Sequence, residues 1–345
     1  MRNPLSKTIE QIKPSGIRKF FDIVSEMPHA ISLGVGEPDF DTPWHVRSEG
    51  IRSLEKGRTF YTSNSGLIEL RQEICKWYQR KYNVLYDYKT EALLTVGGSE
   101  GIDVALRAML DPGDEVIIPE PCYVSYVPCV QLIGAVPVTI ELKNENQFRL
   151  TPEELLAAIT DKTKILILAF PSNPTGAVMT KEDLEPIAKI CQEKDIYVIS
   201  DEIYSELTYG GQKHCSISSL PGMKDRTIVI NGFSKAYAMT GWRLGYALAP
   251  EVIAHQMTKI HQFASTTSQY AAIEAIKNGD ADIEKMCKSY DQRRRFLLKK
   301  FEEVGLPCFE PHGAFYVFPC IKEFGITSDE FATRLLREEE LAVVP

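Results

Sequence analysis

ILILAFPSNPTG, residues 165–176, is a run of six apolar residues that stops in a proline-bounded polar turn. An apolar run without polar alternation suits a strand covered on both faces, and the Pro-Ser-Asn-Pro turn marks its end. The next stretch changes period. Thr180 opens a helix with Leu184, Ile187, Ala188 and Cys191 along one stripe. A second apolar strand, residues 196–200, runs into Asp201 and Glu202, and a third, residues 227–231, runs into a loop carrying Lys235. Apolar strands alternating with amphipathic helices predict an α/β fold, with a mostly parallel sheet sandwiched by helices. In such sheets ligands bind beyond the carboxyl ends of the strands. Asn173, Asp201 and Lys235 all stand at such ends, which points to one shared site.

Working outward, residues 92–96 read as a strand that enters Gly97, Gly98 and Ser99 and then a helix with Ile102, Leu106, Met109 and Leu110 inward. Free N–H groups and the helix dipole make that junction an anion seat, although many α/β turns look alike. Residues 115–118 form the next strand, with Tyr123 just beyond it in PEPCYVSY, and residues 135–142 form another. Thr151-Pro-Glu-Glu opens a helix with a capping box. Nearer the N-terminus, GVGEPDFDTP (34–43) is a rigid, irregular loop, either a spacer or a place where backbone closes on a small ligand. It lacks the third glycine and the helix of a dinucleotide fingerprint. Tyr61 lies in FYTSNSGLIELR (60–71), before a helix with Leu67, Leu70, Ile74 and Trp77 on one face. Residues 246–249 suggest one more strand. A long helix over 280–304 leads to a smaller α+β domain with a strand at 315–318 and a helix at 331–339. The expected division is 46–279 for the large domain, with 1–45 and 280–345 forming the small one.

Composition narrows the function. The chain has 345 residues, 44% hydrophobic and 25% charged, with 39 basic against 47 acidic side chains and a net charge of −8. The basic residues are dispersed, which argues against a nucleic-acid partner. No apolar run approaches the roughly 20 residues that span a bilayer, and no signal-peptide core opens the chain, so a cytoplasmic protein without a membrane partner is expected. Eight cysteines without a CxxC pair read as reduced core thiols, and six scattered histidines give no metal-ligand spacing.

The chemistry gathers around GFSKAYAMTGWRLG, residues 232–245. A lysine that forms an imine needs a buried seat in which it loses its proton near neutral pH, and Lys235 has the position for one. Arg243, on the same loop, suits a bidentate phosphate clamp. If the ligand is an aromatic aldehyde bearing a phosphate, Asp201 suits a protonated ring nitrogen, since burial beside a fixed cation would keep it ionised. Asn173 and Tyr204 suit a phenolic oxygen, Tyr123 a plate against the ring, and Gly98, Ser99, Ser234 and Arg243 a dianion cradle. Each residue also has a structural alternative. Asp201 caps a turn, Tyr123 and Tyr204 fill a core, and Asn173 satisfies its own turn.

Taken together, GVGEPDFDTP, FYTSNSGLIELR, TVGGSEG, PEPCYVSY, PSNPTG, SDEIY and GFSKAYAMTGWRLG make the chain resemble the class I/II aminotransferases of the aspartate aminotransferase fold. That resemblance implies pyridoxal 5'-phosphate as cofactor, held as an aldimine by Lys235, which also shuttles the proton. It implies that Asp201 pairs with the pyridine nitrogen, Tyr204 and Asn173 bind the 3' oxygen, and Tyr123 stacks on the ring. Gly97, Gly98, Ser99, Ser234 and Arg243 would hold the phosphate. Tyr61 would reach the phosphate of the neighbouring subunit, which implies a homodimer. Gly36, with help from Asn173, would contact the substrate carboxylate. The implied activity is amino transfer between an L-amino acid, of aspartate or aromatic type, and a 2-oxo acid such as 2-oxoglutarate. Alternatives on the same fold are a carbon–sulfur β-lyase or a binding or regulatory relative of weakened activity. Two departures stand out. Gly232 replaces a serine that many members use toward the phosphate. The family pattern also continues beyond LAVVP to an arginine for the substrate carboxylate, so the sequence as it stands implies a weakened small domain and poor turnover.

Overall fold

The computed structural model describes residues 2–12, 27 and 29–345. Its strands are β1 (Ile31–Ser32), β2 (Ala92–Thr95), β3 (Glu115–Glu120), β4 (Val136–Glu141), β5 (Thr163–Ala169), β6 (Tyr197–Asp201), β7 (Thr227–Gly232), β8 (Gly245–Leu248) and β9 (Leu341–Ala342). Its α-helices are α1 (Lys7–Gln11), α2 (Trp44–Glu55), α3 (Ile68–Tyr82), α4 (Gly97–Met109), α5 (Tyr126–Leu132), α6 (Pro152–Ala158), α7 (Lys181–Glu193), α8 (Glu251–Ile260), α9 (Thr266–Asn278), α10 (Asp280–Glu303) and α11 (Ser328–Glu339).

The apolar run at 165–170 falls in β5, inside a seven-stranded sheet ordered β2-β8-β7-β6-β5-β3-β4. Its side chains divide by alternation. Ile165 and Ile167, with Ile199, Ile228 and Ile230 of neighbouring strands, pack against Ile102 and Leu106 of α4 and Met257 of α8. Leu166, Leu168 and Val198 face the other way, onto Leu184, Ile187, Ala188 and Cys191 of α7. Successive strand residues point to opposite faces, so a strand covered on both sides must be apolar throughout. Val229 and Leu248 meet Leu70, Ile74 and Trp77 of α3 and Ala271 and Ala275 of α9. Capping boxes fix the starts of two helices: Thr180 and Asp183 bond reciprocally at α7, and Thr151 and Glu154 at α6.

Strand direction decides where the site lies. All neighbours in the large sheet are parallel except β8, which is antiparallel to β2 and β7. Gly245, the first residue of β8, is therefore opposite Thr95 and Gly232, the last residues of β2 and β7. The segments after β2, β3, β5, β6 and β7 and the segment before β8 all emerge at one rim.

A smaller α+β part stands beside this sheet. It pairs β1 with β9 in parallel and packs Ala332, Leu336 and Ala342 together, with Met27 and Ala30 against them. Helix α11 begins three residues before the expected 331, because Thr327 accepts a hydrogen bond from the Glu330 N–H and caps it. The strand expected at 315–318 does not form. The backbone there makes only isolated bridges, Gly313 with Thr208 and Pro319 with Cys308. Pro311 and Pro319 flank the segment and supply no N–H to a ladder. Phe315 and Tyr316 turn instead onto Tyr204 and Tyr290, and Phe318 onto Phe148. Among the described residues no helix is long and apolar enough to cross a membrane.

Candidate active site

Lys235 follows β7 by three residues and is half-buried at the rim. Its Nζ donates to the Gly36 carbonyl at 2.5 Å and lies 5.7 Å from the Tyr204 ring centroid and 5.6 Å from that of Phe315. Burial lowers the amine pKa to about 8; Arg243 adds to that effect, while Glu37 and Asp201 oppose it. An amine in such a seat is a nucleophile and base in the neutral range, which an exposed lysine is not.

Asp201 ends β6. Its Oδ1 accepts from the Ile203 N–H at 3.1 Å and its Oδ2 from the Tyr126 hydroxyl at 2.7 Å. Burial raises its pKa, and the Tyr126 and Ile203 hydrogen bonds act before the Lys235 charge in the opposite direction. Two neutral donors thus favour the ionised form alongside the Lys235 charge. The adjoining Glu202 is fully buried and accepts from Tyr78, Ser200 and Ser216, a core network rather than a rim group.

Tyr126 is a site residue that the sequence reading missed. It is the first residue of α5, is buried, and sits edge-on to Tyr123, with ring centroids 5.6 Å apart at 77°. No local pattern signals it, since Tyr123 lies before the helix and the contact with Asp201 depends on how α5 approaches β6.

The anion seat is built by glycines. Gly97 has φ 77°, and a Cβ there would stand 2.7 Å from Nη2 of Arg243, so the guanidinium lies directly against the start of α4. Arg243 is exposed, takes φ 50°, and donates from Nη1 to the Thr240 carbonyl at 3.1 Å. Ser234 is buried nearby on the Lys235 loop, whereas Ser99, in the first turn of α4, is exposed. A Cβ on Gly245 would stand 2.6 Å from the Gly97 carbonyl carbon and 2.7 Å from the Gly98 nitrogen. A Cβ on Gly232 would stand 2.9 Å from the Gly245 Cα. That closeness gives a physical reason for glycine, not serine, at position 232.

The remaining expected residues divide. Asn173 stands half-buried in the turn after β5, Tyr123 half-buried after β3, and Tyr204 buried just past β6. Gly36 is joined to the rim through Lys235 and packs against Tyr316. Tyr61 is not brought in. It is 82% exposed and its ring lies on Phe263, with centroids 4.4 Å apart. Tyr316 is a second residue the sequence reading left aside, and its hydroxyl is 2.6 Å from that of Tyr204. Among the described residues no group of three or more His, Cys, Asp or Glu side chains is placed to hold a metal ion.

The donor set fits a phosphorylated pyridine aldehyde: a cradle where Gly97 has no side chain, a cation against it, a low-pKa amine and a half-buried carboxylate on one rim. Known proteins supply the family. Residues 28–345 match the family model described as aminotransferase class I and II. The chain is 46% identical to an aspartate aminotransferase of Pyrococcus abyssi, over 99% of this chain and 89% of that one. It is 43% identical to aromatic-amino-acid aminotransferase 2 of Thermococcus litoralis, again over 99% and 89%. The crystal structure of the Thermus thermophilus aspartate aminotransferase with maleate is similar at a TM-score of 0.95 and 37% identity, over 100% of this chain and 92% of that one. A match along nearly the whole chain makes this protein a member of the class I and II aminotransferases.

Proposed function

We propose that this aminotransferase holds pyridoxal 5'-phosphate at the rim and moves an amino group from an L-amino acid, of aspartate or aromatic type, to a 2-oxo acid such as 2-oxoglutarate. The observation that carries the reading is Lys235, a half-buried amine with its pKa lowered to about 8, on the same rim as Asp201 and the Gly97–Arg243 seat. The substrate class follows the printed names of the relatives. When bound, the cofactor supplies a pyridine ring that takes up electrons from the substrate's α carbon.

The chain's own residues do the rest. Lys235 Nζ would be the group that holds the cofactor and moves the proton, its burial keeping a neutral amine accessible near pH 7–8. Asp201, held by the Tyr126 hydroxyl and the Ile203 N–H, would take the ring nitrogen. Asn173 and Tyr204 would hold a phenolic oxygen, and Tyr123 would shield the ring from water. Gly97, Gly98 and Ser99 offer backbone N–H groups to a dianion, with Ser234 and Arg243 beside them. Gly36 brings backbone to the substrate carboxylate, with Asn173 alongside. The large domain would span 46–279, and 1–45 with 280–345 would form the small one. The reading includes a homodimer, in which the exposed Tyr61 ring would reach the neighbouring subunit. The eight free thiols fit a cytoplasmic location.

The test is a panel of amino donors against 2-oxoglutarate, read by product formation and visible absorbance. A band that shifts on adding aspartate or an aromatic amino acid, with turnover that needs the oxo acid, supports the proposal. A protein that stays colourless after incubation with pyridoxal phosphate overturns it. Lys235→Ala should lower turnover by at least about 10⁴-fold, the scale of losing a covalent nucleophile, while phosphate docking persists.

A further inference from the structure

The 313–318 segment carries a side chain that the proposed function does not use. Tyr316 places its hydroxyl 2.6 Å from that of Tyr204, with the two rings edge to face at 74° and 5.8 Å between centroids. A Cβ on Gly36 would stand 2.6 Å from the same hydroxyl, so the 34–43 loop backbone closes against it. The Gly36 carbonyl in turn accepts from Lys235 Nζ. Tyr316 thus touches two segments that meet at the rim, the N-terminal loop and the stretch just after β6, and both of these approach Lys235.

Proton counting gives this contact a direction. Each phenol has one proton, and one hydrogen bond joins the pair, so one of the two protons is left for another acceptor. Burial raises the pKa of both groups, Tyr316 to about 12, and both keep their protons in the neutral range. Tyr204 is the buried member, beside Asp201 and Lys235, and its hydroxyl is the one expected at a ligand's phenolic oxygen. If the Tyr204 proton goes to the ligand, the proton between the two hydroxyls must come from Tyr316. A hydroxyl that accepts one hydrogen bond becomes a stronger donor in the next.

We propose that Tyr316 is a positioning residue of the site, whose hydroxyl donates to Tyr204 and thereby commits and strengthens the Tyr204 proton toward the bound cofactor. The inference rests on the reading of the rim as a pyridoxal phosphate site. It adds to that reading a donor chain, Tyr316 to Tyr204 to ligand, anchored by the small-domain segment and by Gly36.

The experiment is a pH titration of the visible absorbance of the holoenzyme, for wild type, Tyr316→Phe, Tyr204→Phe and the double variant. Weaker donation leaves more negative charge on the ligand's phenolic oxygen, so the chromophore holds its proton to higher pH. Tyr316→Phe should raise the titration midpoint by about 0.3 pH unit, in keeping with a cooperative contribution of some 10–30% per bond. Tyr204→Phe should raise it further, and adding Tyr316→Phe to Tyr204→Phe should change nothing more. A midpoint unmoved by Tyr316→Phe, or an equal shift in both backgrounds, overturns the proposal while leaving the cofactor reading intact. A wild-type protein without a visible band overturns both. Thermal melts of the four proteins separate the effect from loss of packing, since a purely structural tyrosine would lower melting temperature without moving the midpoint.

Discussion

At the scale of single residues, the site depends on how two charged groups are held. Lys235 is displaced from the ordinary lysine range chiefly by burial. The neutral amine is the reactive form, so uptake of pyridoxal phosphate by the apoprotein should speed up as pH rises from 7 to about 8 and then level off. An undisplaced lysine would keep gaining rate well past pH 9. Stopped-flow absorbance across that range decides between them, and a rate still climbing steeply at pH 9.5 would contradict the assigned seat. Asp201 poses the complementary question. Removing the Tyr126 hydroxyl leaves a half-buried carboxylate oxygen short of a donor, a loss of about 1–3 kcal/mol. Tyr126→Phe should therefore weaken cofactor affinity by roughly tenfold or more in a fluorescence titration. Unchanged affinity would remove Tyr126 from the site. Asp201 was legible in the sequence because it ends an apolar strand. Tyr126 was not, because its role depends on the approach of α5 to β6, which no local pattern encodes.

At the scale of elements, the sheet could be read from the chain because both of its faces are covered. Alternation disappears in β5, β6 and β7 for a packing reason, and the helices between them declare themselves by stripe and cap. The segment 315–318 was misread for a related reason. Aromatic residues favour strands, but these pack on Tyr204, Tyr290 and Phe148 and leave the backbone without a partner strand. The reversal of β8 was also invisible locally, although it explains why Arg243 reaches Gly97 at all. Because β8 runs against its neighbours, its first residue meets the ends of both. Gly245→Ala would put a methyl group 2.6 Å from the Gly97 carbonyl carbon, against backbone that cannot rotate away. Overpacking of that kind costs about 1–3 kcal/mol, so the variant should melt a few degrees lower. It should also bind inorganic phosphate more weakly, because the displaced element is the start of α4. A variant that melts lower but binds phosphate normally would show that the contact supports the sheet and not the seat.

At the scale of the whole molecule, one expected site residue lies apart from the site within its own chain. Phe60 and Tyr61 are 81% and 82% exposed, and Trp44 and Ile68 are 66% and 56% exposed. Large apolar side chains this open are costly in a lone subunit and ordinary in an interface. The rim meanwhile has its cation and amine supplied by the 232–245 loop, with room at Arg243 for a further group. If Tyr61 serves the neighbouring subunit, each site combines Lys235 of one chain with Tyr61 of the other. Complementation tests this directly. Tyr61→Ala alone should lose about tenfold or more in turnover through a missing hydrogen bond to a charged group, and Lys235→Ala alone should be inactive. A mixed dimer of the two variants contains one site with both residues intact, so remixing equal amounts should restore about a quarter of wild-type activity. Light scattering on the same samples reports whether dimers are present. Dimers without restored activity would mean that Tyr61 acts within its own chain or not at all. Restoration to the predicted level requires that the partner subunit's Tyr61 completes a site whose lysine it does not carry.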